Sequence, residues 1–413
     1  MKVLLVAPMV PRLEGGGAIP VLLQAEVVGL SRAHELTLVT AVGDEAGEEE
    51  GLAALREADL DLHVADRRRP PPGGRRRLRQ LRMAARWARG RWPWRTVWYA
   101  DPGIQRILDR LGAERSFDVI AVEDSAMSVF RYPSGVAKVF THHEVLQPRP
   151  VDWRPGPPRQ WPGWAFGELD WRRWRGFQPS AWQRFDRVQV FSRRDADAVG
   201  ALAPDVAPRV RVNPFGMVLP PRVDPAREVA GTILFVGNFA HPPNRDAAVW
   251  LAREILPAVV QRCPEAKLRI VGTAPSAEVR ELSGPRVELV PDAPSVQPHL
   301  EAAAVVMAPV RTGGGMRMKV LEAMAAGKAV VTTPRGTEGY TGFDEEPPLA
   351  VAESEAEIAV LTAALLADEG RRRQLGERAR EFAERHHSPE AWAVRLTAVY
   401  EEARAAVEAP SHG

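Results

Sequence analysis

The sequence predicts an α/β protein built from two doubly wound units, each a parallel sheet covered by helices on both faces. Three observations predict it. Short apolar runs alternate with amphipathic stretches of helical length along the whole chain. The pattern restarts in the second half, after the proline-rich residues 204–225. At 413 residues the chain is too long for one ordinary core, and two domains of about 200 residues are the natural division. The proline-rich stretch reads as the linker, with one unit at 1–215 and the other at 216–387.

In the first half, residues 3–7 form an apolar run, followed by the loop PMVPRLEGGGAIP, an amphipathic segment at 21–30 and the apolar run ELTLVTAV. That is the order of a βαβ unit. DVIAVED, AKVFTHHE and RVQVFS are further apolar runs that end in polar residues. In the second half, GTILFVG is a strand, RDAAVWLAREILPAVVQRC a helix, and KLRIVG, VELVP and AAVVMAPV are strands. A helix entered through TGGGMRMKVLEAMAAG follows, then the strand KAVVTT. Residues 368–408 are helical by periodicity and carry mixed charge.

Composition sets the bounds. Hydrophobic residues at 45% and charged residues at 26% fit a globular protein. The net charge of +2 hides an asymmetry: from Arg67 to Arg95 there are twelve arginines and no acidic residue. The single cysteine, Cys263, excludes an intramolecular disulfide and suits a reducing cytosol. KVLLVAPMV reads as a buried first strand rather than a signal peptide, being short and interrupted by proline. No stretch approaches the ~18 uninterrupted apolar residues of a membrane span. The expectation is a cytoplasmic protein, at most peripheral at the inner face of the membrane.

In open α/β sheets, ligands bind beyond the carboxyl ends of strands, where strand order reverses. TGGGMRMKVLEAMAAG, residues 312–327, follows such a strand. Glycines at a helix entrance let a phosphate approach unpaired N–H groups at the positive end of the helix. Arg317, placed in the first turn, would add a forked donor. Helical spacing puts Glu322 on the side of Lys319 and Gly315, with Met316, Val320 and Met324 toward the core. An ionised carboxylate there suits the two hydroxyls of a ribose. The alternative is a plain glycine turn with a surface Lys319–Glu322 pair.

Other stretches carry weaker signals. GTEGY places Glu338 after the next strand, where it lines the same pocket or sits in an ordinary turn. EGGGAIP, residues 14–20, has the glycine content of a phosphate loop but not its G-x-G-x-x-G spacing, nor the ending of a P-loop. A nicotinamide dehydrogenase and a P-loop NTPase are therefore disfavoured. THHEV offers His142 and His143 at a strand end, as ligands of a sugar hydroxyl or as a solvated loop. Two D-x-D strings, Asp59–Asp61 and Asp195–Asp197, read as solvated carboxylates, which argues against a metal-dependent reaction. The arginine block, with Trp87, Trp92, Trp94 and Trp98, reads as a charged surface helix or as an arm facing an anionic membrane. A second tryptophan cluster, Trp153 to Trp182, is either packing or an aromatic acceptor surface.

FVGNFAHPPNRDAAVWLAREILP, LRIVG, VVMAPVRTGGGMRMKVLEAMAAGKAVVTTPRGTEG and SFDVIAVED together resemble a bacterial family 4 glycosyltransferase (group 1 type) of the GT-B fold. The likeness is strongest over residues 231–400 and weaker over the first 215, where RAHELTLVT and FSRRDADAV also fit. It implies two Rossmann-like domains facing across a cleft, the second holding a nucleoside diphosphate sugar, and retention of anomeric configuration without a bound metal. The last helix, within 388–413, is expected to cross back to the first domain. Glu322 matches the glutamate that holds the donor ribose, and Gly313, Gly314, Gly315 and Met316 match backbone that approaches the diphosphate and sugar. His143 matches the cleft histidine near the donor sugar, with His142 the fallback. Gly16 and Gly17 match the loop that closes over the donor.

Two departures stand out. Many relatives carry two glutamates eight positions apart, and here the first position is Gly314. The usual basic phosphate ligands after the first strand of the second domain are replaced by Asn238 and Asn244, with Arg245 adjacent. Arg317 and Lys319 are expected to compensate. The resemblance thus implies a retaining hexosyltransferase that moves sugar from a nucleoside diphosphate sugar to a sugar, lipid-linked sugar or small-molecule hydroxyl. No cofactor, metal or nucleic acid is expected. A front-side displacement is expected, with Glu123 and Glu144 as the nucleophiles to exclude. Alternatives are a nucleotide-sugar epimerase or hydrolase of the same fold, or a catalytically silent sugar-nucleotide-binding protein.

Overall fold

The computed structural model describes residues 1–13, 17–68, 74–143, 145, 161–313 and 317–409. Gly16, Glu144, Gly314, Gly315 and Met316 lie outside these, as do Glu14, Gly15 and Trp153. The chain divides into two units, Met1–Val218 with Pro389–Gly413, and Leu219–Ser388.

The first unit is a seven-stranded parallel sheet: β1 (Lys2–Val6), β2 (Glu35–Val42), β3 (Asp61–Asp66), β4 (Val119–Glu123), β5 (Ala137–His142), β6 (Arg187–Val190) and β7 (Val210–Val212). Its order is β3-β2-β1-β4-β5-β6-β7. Val3, Leu4, Leu5 and Val6 have no exposed surface, because helices cover both faces of the central strand. One covering layer is the helix Ala18–Ala33, packed against the last helix, Pro389–Glu408. A Cβ on Gly29 would stand 2.3 Å from the Pro389 carbonyl oxygen, so only glycine permits that crossing.

The second unit is a six-stranded parallel sheet: β8 (Thr232–Val236), β9 (Lys267–Gly272), β10 (Val287–Pro291), β11 (Val305–Ala308), β12 (Ala329–Thr332) and β13 (Ala350–Val351). Its order is β10-β9-β8-β11-β12-β13. Both units are Rossmann-like. Strand order reverses between β1 and β4 in one sheet and between β8 and β11 in the other, and these are the two switch points at which ligands are expected.

Several expectations need correction. The stretch 204–225 is not linker throughout, since it contributes β7; a three-residue strand between prolines is too short to show periodicity. The helix expected over 245–263 begins at Pro242 and widens into a π turn at Leu251–Ile255 before resuming at Leu256–Val260. Pro257 lacks the N–H that an α-turn would send back to Arg253, and the wider turn accommodates the gap. Asp195 is not solvated: it is 2% exposed, and its carboxylate accepts from the Ser192 hydroxyl at 2.6 Å. Asp61 stays partly solvated, its side chain 38% exposed, while it accepts from Thr37 at 2.7 Å. The arginine block is not one surface either, because Arg67 is buried with its guanidinium 4.3 Å from the centre of the Tyr99 ring.

Candidate functional site

At the second switch point, two strand-to-helix junctions meet. The first leads from β8 through Asn238 to the helix Pro242–Trp250, and the second from β11 through Gly313 to the helix Met318–Ala325. Gly313 has φ +91°, and a Cβ there would come within 2.9 Å of Pro243 on the neighbouring junction. Glycine is needed on both counts. The second helix buries Val320, Leu321, Ala323, Met324 and Ala325 and leaves Lys319 and Glu322 half-buried.

Arg317 corrects the expectation that placed it in the first turn. It stands one residue before the helix, 7% exposed, and its Nη2 donates to the Gly313 carbonyl at 3.1 Å. The guanidinium therefore braces Gly313 while carrying charge beside it. Arg335, in the junction after β12, donates to the same carbonyl at 3.3 Å and pairs with Glu338 at 3.6 Å. The Tyr340 hydroxyl, fully buried, donates to the Arg317 carbonyl at 2.6 Å.

Lys319 Nζ donates to Asn244 Oδ1 at 2.6 Å, and Asn244 Nδ2 donates to the Asn238 carbonyl at 2.8 Å. The two asparagines that stand where basic ligands were expected thus hold a lysine supplied by the other junction. Packed surroundings push the Lys319 pKa down to about 7; nearby Arg317 pushes the same way and Glu322 opposes. Burial raises the Glu322 pKa, against the pull of Lys319. Desolvation, then Arg317 and Lys319, lower the pKa of His241 at the rim. The Glu322 carboxylate makes no side-chain hydrogen bond among the described residues. Arg245 lies one turn from Asn238's junction, partly buried on the same helix. The edge thus gathers Arg317, Lys319, Arg335 and His241, with the Glu322 carboxylate beside Lys319.

In the first unit, His142 and His143 diverge, as neighbours on a strand end do. His142 is buried, and its Nδ1 accepts from the Trp182 indole at 2.8 Å, so it belongs to the packing. His143 Nε2 lies 2.8 Å from Glu123 Oε2, with its ring 5.4 Å from Phe191. The buried Nδ1 of His143 has no hydrogen-bond partner among the described residues. Glu123, considered from sequence as a nucleophile, is 1% exposed and committed to His143. Gly17 precedes the helix Ala18–Ala33 with φ +88°.

Sequence reasoning did not single out His241, Arg335, Tyr340 or Glu26. His241 and Arg335 each sit directly after a strand, in NFAHPPN and TTPRGTEG, and that position was a usable signal. Tyr340 and Glu26 carried none.

The model of the family Glycosyl transferases group 1 matches residues 230–368, which lie within the second unit. A 44.6 kDa protein of the cps region of Klebsiella pneumoniae is 30% identical over 132 residues, covering 30% of this chain and 34% of that protein. A phosphatidyl-myo-inositol mannosyltransferase of Mycobacterium tuberculosis is 32% identical over 153 residues, covering 35% of this chain and 39% of the relative. The chain therefore matches little more than a third of the length of these curated relatives. Among solved structures, a sucrose-phosphate synthase from Thermosynechococcus elongatus superposes with TM-score 0.65 at 17% identity, covering 98% of this chain and 99% of that one. Anabaena HepE in complex with UDP and glucose superposes with TM-score 0.64 at 13% identity, covering 97% and 100%. At these identities the likeness establishes the fold, which is GT-B.

Proposed function

We propose that the chain is a retaining glycosyltransferase of family 4 that moves a hexose-type sugar from a nucleoside diphosphate sugar to a hydroxyl acceptor. The carrying observation is the convergence of Arg317, Lys319, Arg335 and His241 on the β8/β11 switch point, beside the carboxylate of Glu322. Cations around a helix entrance suit a diphosphate, and a carboxylate one turn further suits a ribose. The family match over the same unit supports this reading, as do the names of the relatives, a mannosyltransferase and a protein holding UDP and glucose.

When the sugar–phosphate bond breaks, the electron pair moves to the leaving diphosphate. Lys319, Arg317 and the N–H groups of the glycine turn stabilise that charge, and fixed donors of this kind usually supply the largest catalytic term. The acceptor hydroxyl attacks from the same face and gives its proton to the leaving phosphate, which preserves configuration without a metal. Gly16, Gly17, Gly314, Gly315, Met316 and Glu338 are assigned to the donor site, with Asn238 and Arg245 at its edge. His143 is assigned to the donor sugar. The pathway is cell-surface polysaccharide or glycolipid synthesis. The helix Gly74–Arg89 exposes Leu78 and Leu81 among arginines, and this face is proposed to rest on anionic membrane. Among the described residues, no helix is long and apolar enough to cross a membrane.

The test is acceptor-dependent release of nucleoside diphosphate from a panel of UDP-, GDP-, ADP- and dTDP-sugars. Release without acceptor indicates a hydrolase. Binding with no turnover across an acceptor panel indicates a silent binding protein. Transfer unaffected by both Glu322→Ala and Arg317→Ala sinks the site.

A further inference from the structure

Behind His143 stands a buried line of polar groups drawn from four elements of the first unit. Glu123 ends β4 and meets His143 Nε2 at 2.8 Å. Glu26, on the helix Ala18–Ala33, is 1% exposed, and its carboxyl lies within hydrogen-bonding reach of Glu123. Tyr400, on the last helix, donates to Glu26 Oε1 at 3.4 Å. Three buried atoms of this line have no partner among the described residues: Glu26 Oε2, Glu123 Oε1 and His143 Nδ1.

We propose that Glu26 keeps its proton and donates it to Glu123, and that the pair holds His143 with Nε2–H toward Glu123 and Nδ1 as the acceptor nitrogen of its ring. Two carboxylates in contact away from water cannot both ionise, so one keeps its proton. A proton between them gives a partner to one orphan oxygen on each residue, and buried polar atoms are rarely left without one. Burial favours Glu26 as the holder, and the neighbouring charge of Glu123 adds to it. Glu123 Oε2 accepts the His143 Nε2–H at 2.8 Å. With Nε2 donating, Nδ1 is the acceptor nitrogen of the ring.

Asp124 also carries charge beside His143. Asp124, next in the chain, is taken up by Arg95 at 2.8 Å and by the Ala126 N–H at 2.9 Å. His142 is turned away to Trp182. Glu26 and Glu123 act through His143 and are positioning residues. Only the bearing of this tautomer on sugar transfer rests on the glycosyltransferase reading.

The test uses the ligand-free full chain, so its outcome is independent of sugar transfer. Infrared difference spectra at neutral pH should show the C=O stretch of a protonated carboxylic acid in the wild type, lost in Glu26→Gln. Nitrogen-15 NMR should find His143 as the Nε2–H tautomer in the wild type and in Glu26→Gln, whose amide still donates to Glu123. In Glu123→Gln the tautomers should mix. Absence of the acid band, or an Nδ1–H tautomer in the wild type, overturns the proposal. So does a tautomer unchanged in Glu123→Gln. If transfer fails while both spectra hold, the function is wrong and the proton pair stands.

Discussion

Lys319 donates to Asn244 at 2.6 Å, and this bond ties the helix after β11 to the helix after β8. It crosses the point where strand order reverses, the place in an open sheet where two junctions diverge and leave a crevice. The same lysine is pushed down to about 7, so near neutrality it is poised between its two charge states.

A bound diphosphate adds negative charge beside Lys319 and raises its pKa. Between about 7 and the pKa of the complex, binding must therefore take up a proton, and affinity falls as pH rises through that window. The free fold behaves oppositely. Its lysine is depressed below the unfolded value, so the unfolded chain binds more protons and stability rises with pH above about 7. Calorimetry of the nucleoside diphosphate at pH 8, in two buffers of different ionisation enthalpy, should show uptake that disappears in Lys319→Met. Identical heats in both buffers would place Lys319 away from the ligand.

Glu322→Gln should weaken nucleotide binding by about 1.5–3 kcal/mol, the usual worth of hydrogen bonds to a charged group. The effect should shrink for a nucleotide that lacks the 2′-hydroxyl, since one of the two ribose bonds is then already absent. Titration calorimetry with ribo- and 2′-deoxyribonucleotides checks both. An equal loss for the two sugars removes the carboxylate from the ribose.

The fold was legible because its strands are apolar runs and its helices have clear periodicity; Val3 to Val6 could hardly be anything but a central strand. Glu322 and Lys319 were legible through one turn of helix. What stayed hidden was long-range. Asn244 and Lys319 are 75 positions apart, and only the adjacency of β8 and β11 brings them together. Glu26 looked like one polar residue on an amphipathic helix. Its proximity to Glu123 depends on the order of the first sheet and on the packing of the last helix. Short strands such as β7 and β13 have too few residues to show a period.

Gly29→Ala should lower the thermal midpoint. Its Cβ would be forced to 2.3 Å from the Pro389 carbonyl, which is backbone and cannot rotate away. Overpacking of this kind costs about 1–3 kcal/mol. Calorimetric unfolding reads the loss. An unaltered midpoint would mean that the two helices separate at little cost.

If the helix Gly74–Arg89 rests on anionic lipid, the full chain should cosediment with vesicles containing phosphatidylglycerol and not with pure phosphatidylcholine. Binding should fall with added salt, since screening reaches about 8 Å at physiological ionic strength. Leu81→Glu, at a side chain 67% exposed, should weaken it without affecting the fold. Undiminished binding by that variant would rule out this face.

Tyr340→Phe isolates the brace beneath the glycine turn. The hydroxyl is fully buried and donates to the Arg317 carbonyl at 2.6 Å, while that carbonyl also accepts from the Val320 N–H at 2.8 Å. Removing the hydroxyl thus leaves no orphan acceptor, and the stability cost should be only about 0.5–1.5 kcal/mol. Arg317 would lose one of its anchors, and the turn it supports should hold a diphosphate less tightly. Burial raises the Tyr340 pKa, so the hydroxyl stays a neutral donor through the working pH range and the defect should not vary with pH. Nucleotide titrations of the variant at pH 6 and pH 8, beside its unfolding midpoint, test this. A lower midpoint with unchanged affinity would show that Tyr340 supports the fold alone and leaves the turn to Arg335 and Arg317.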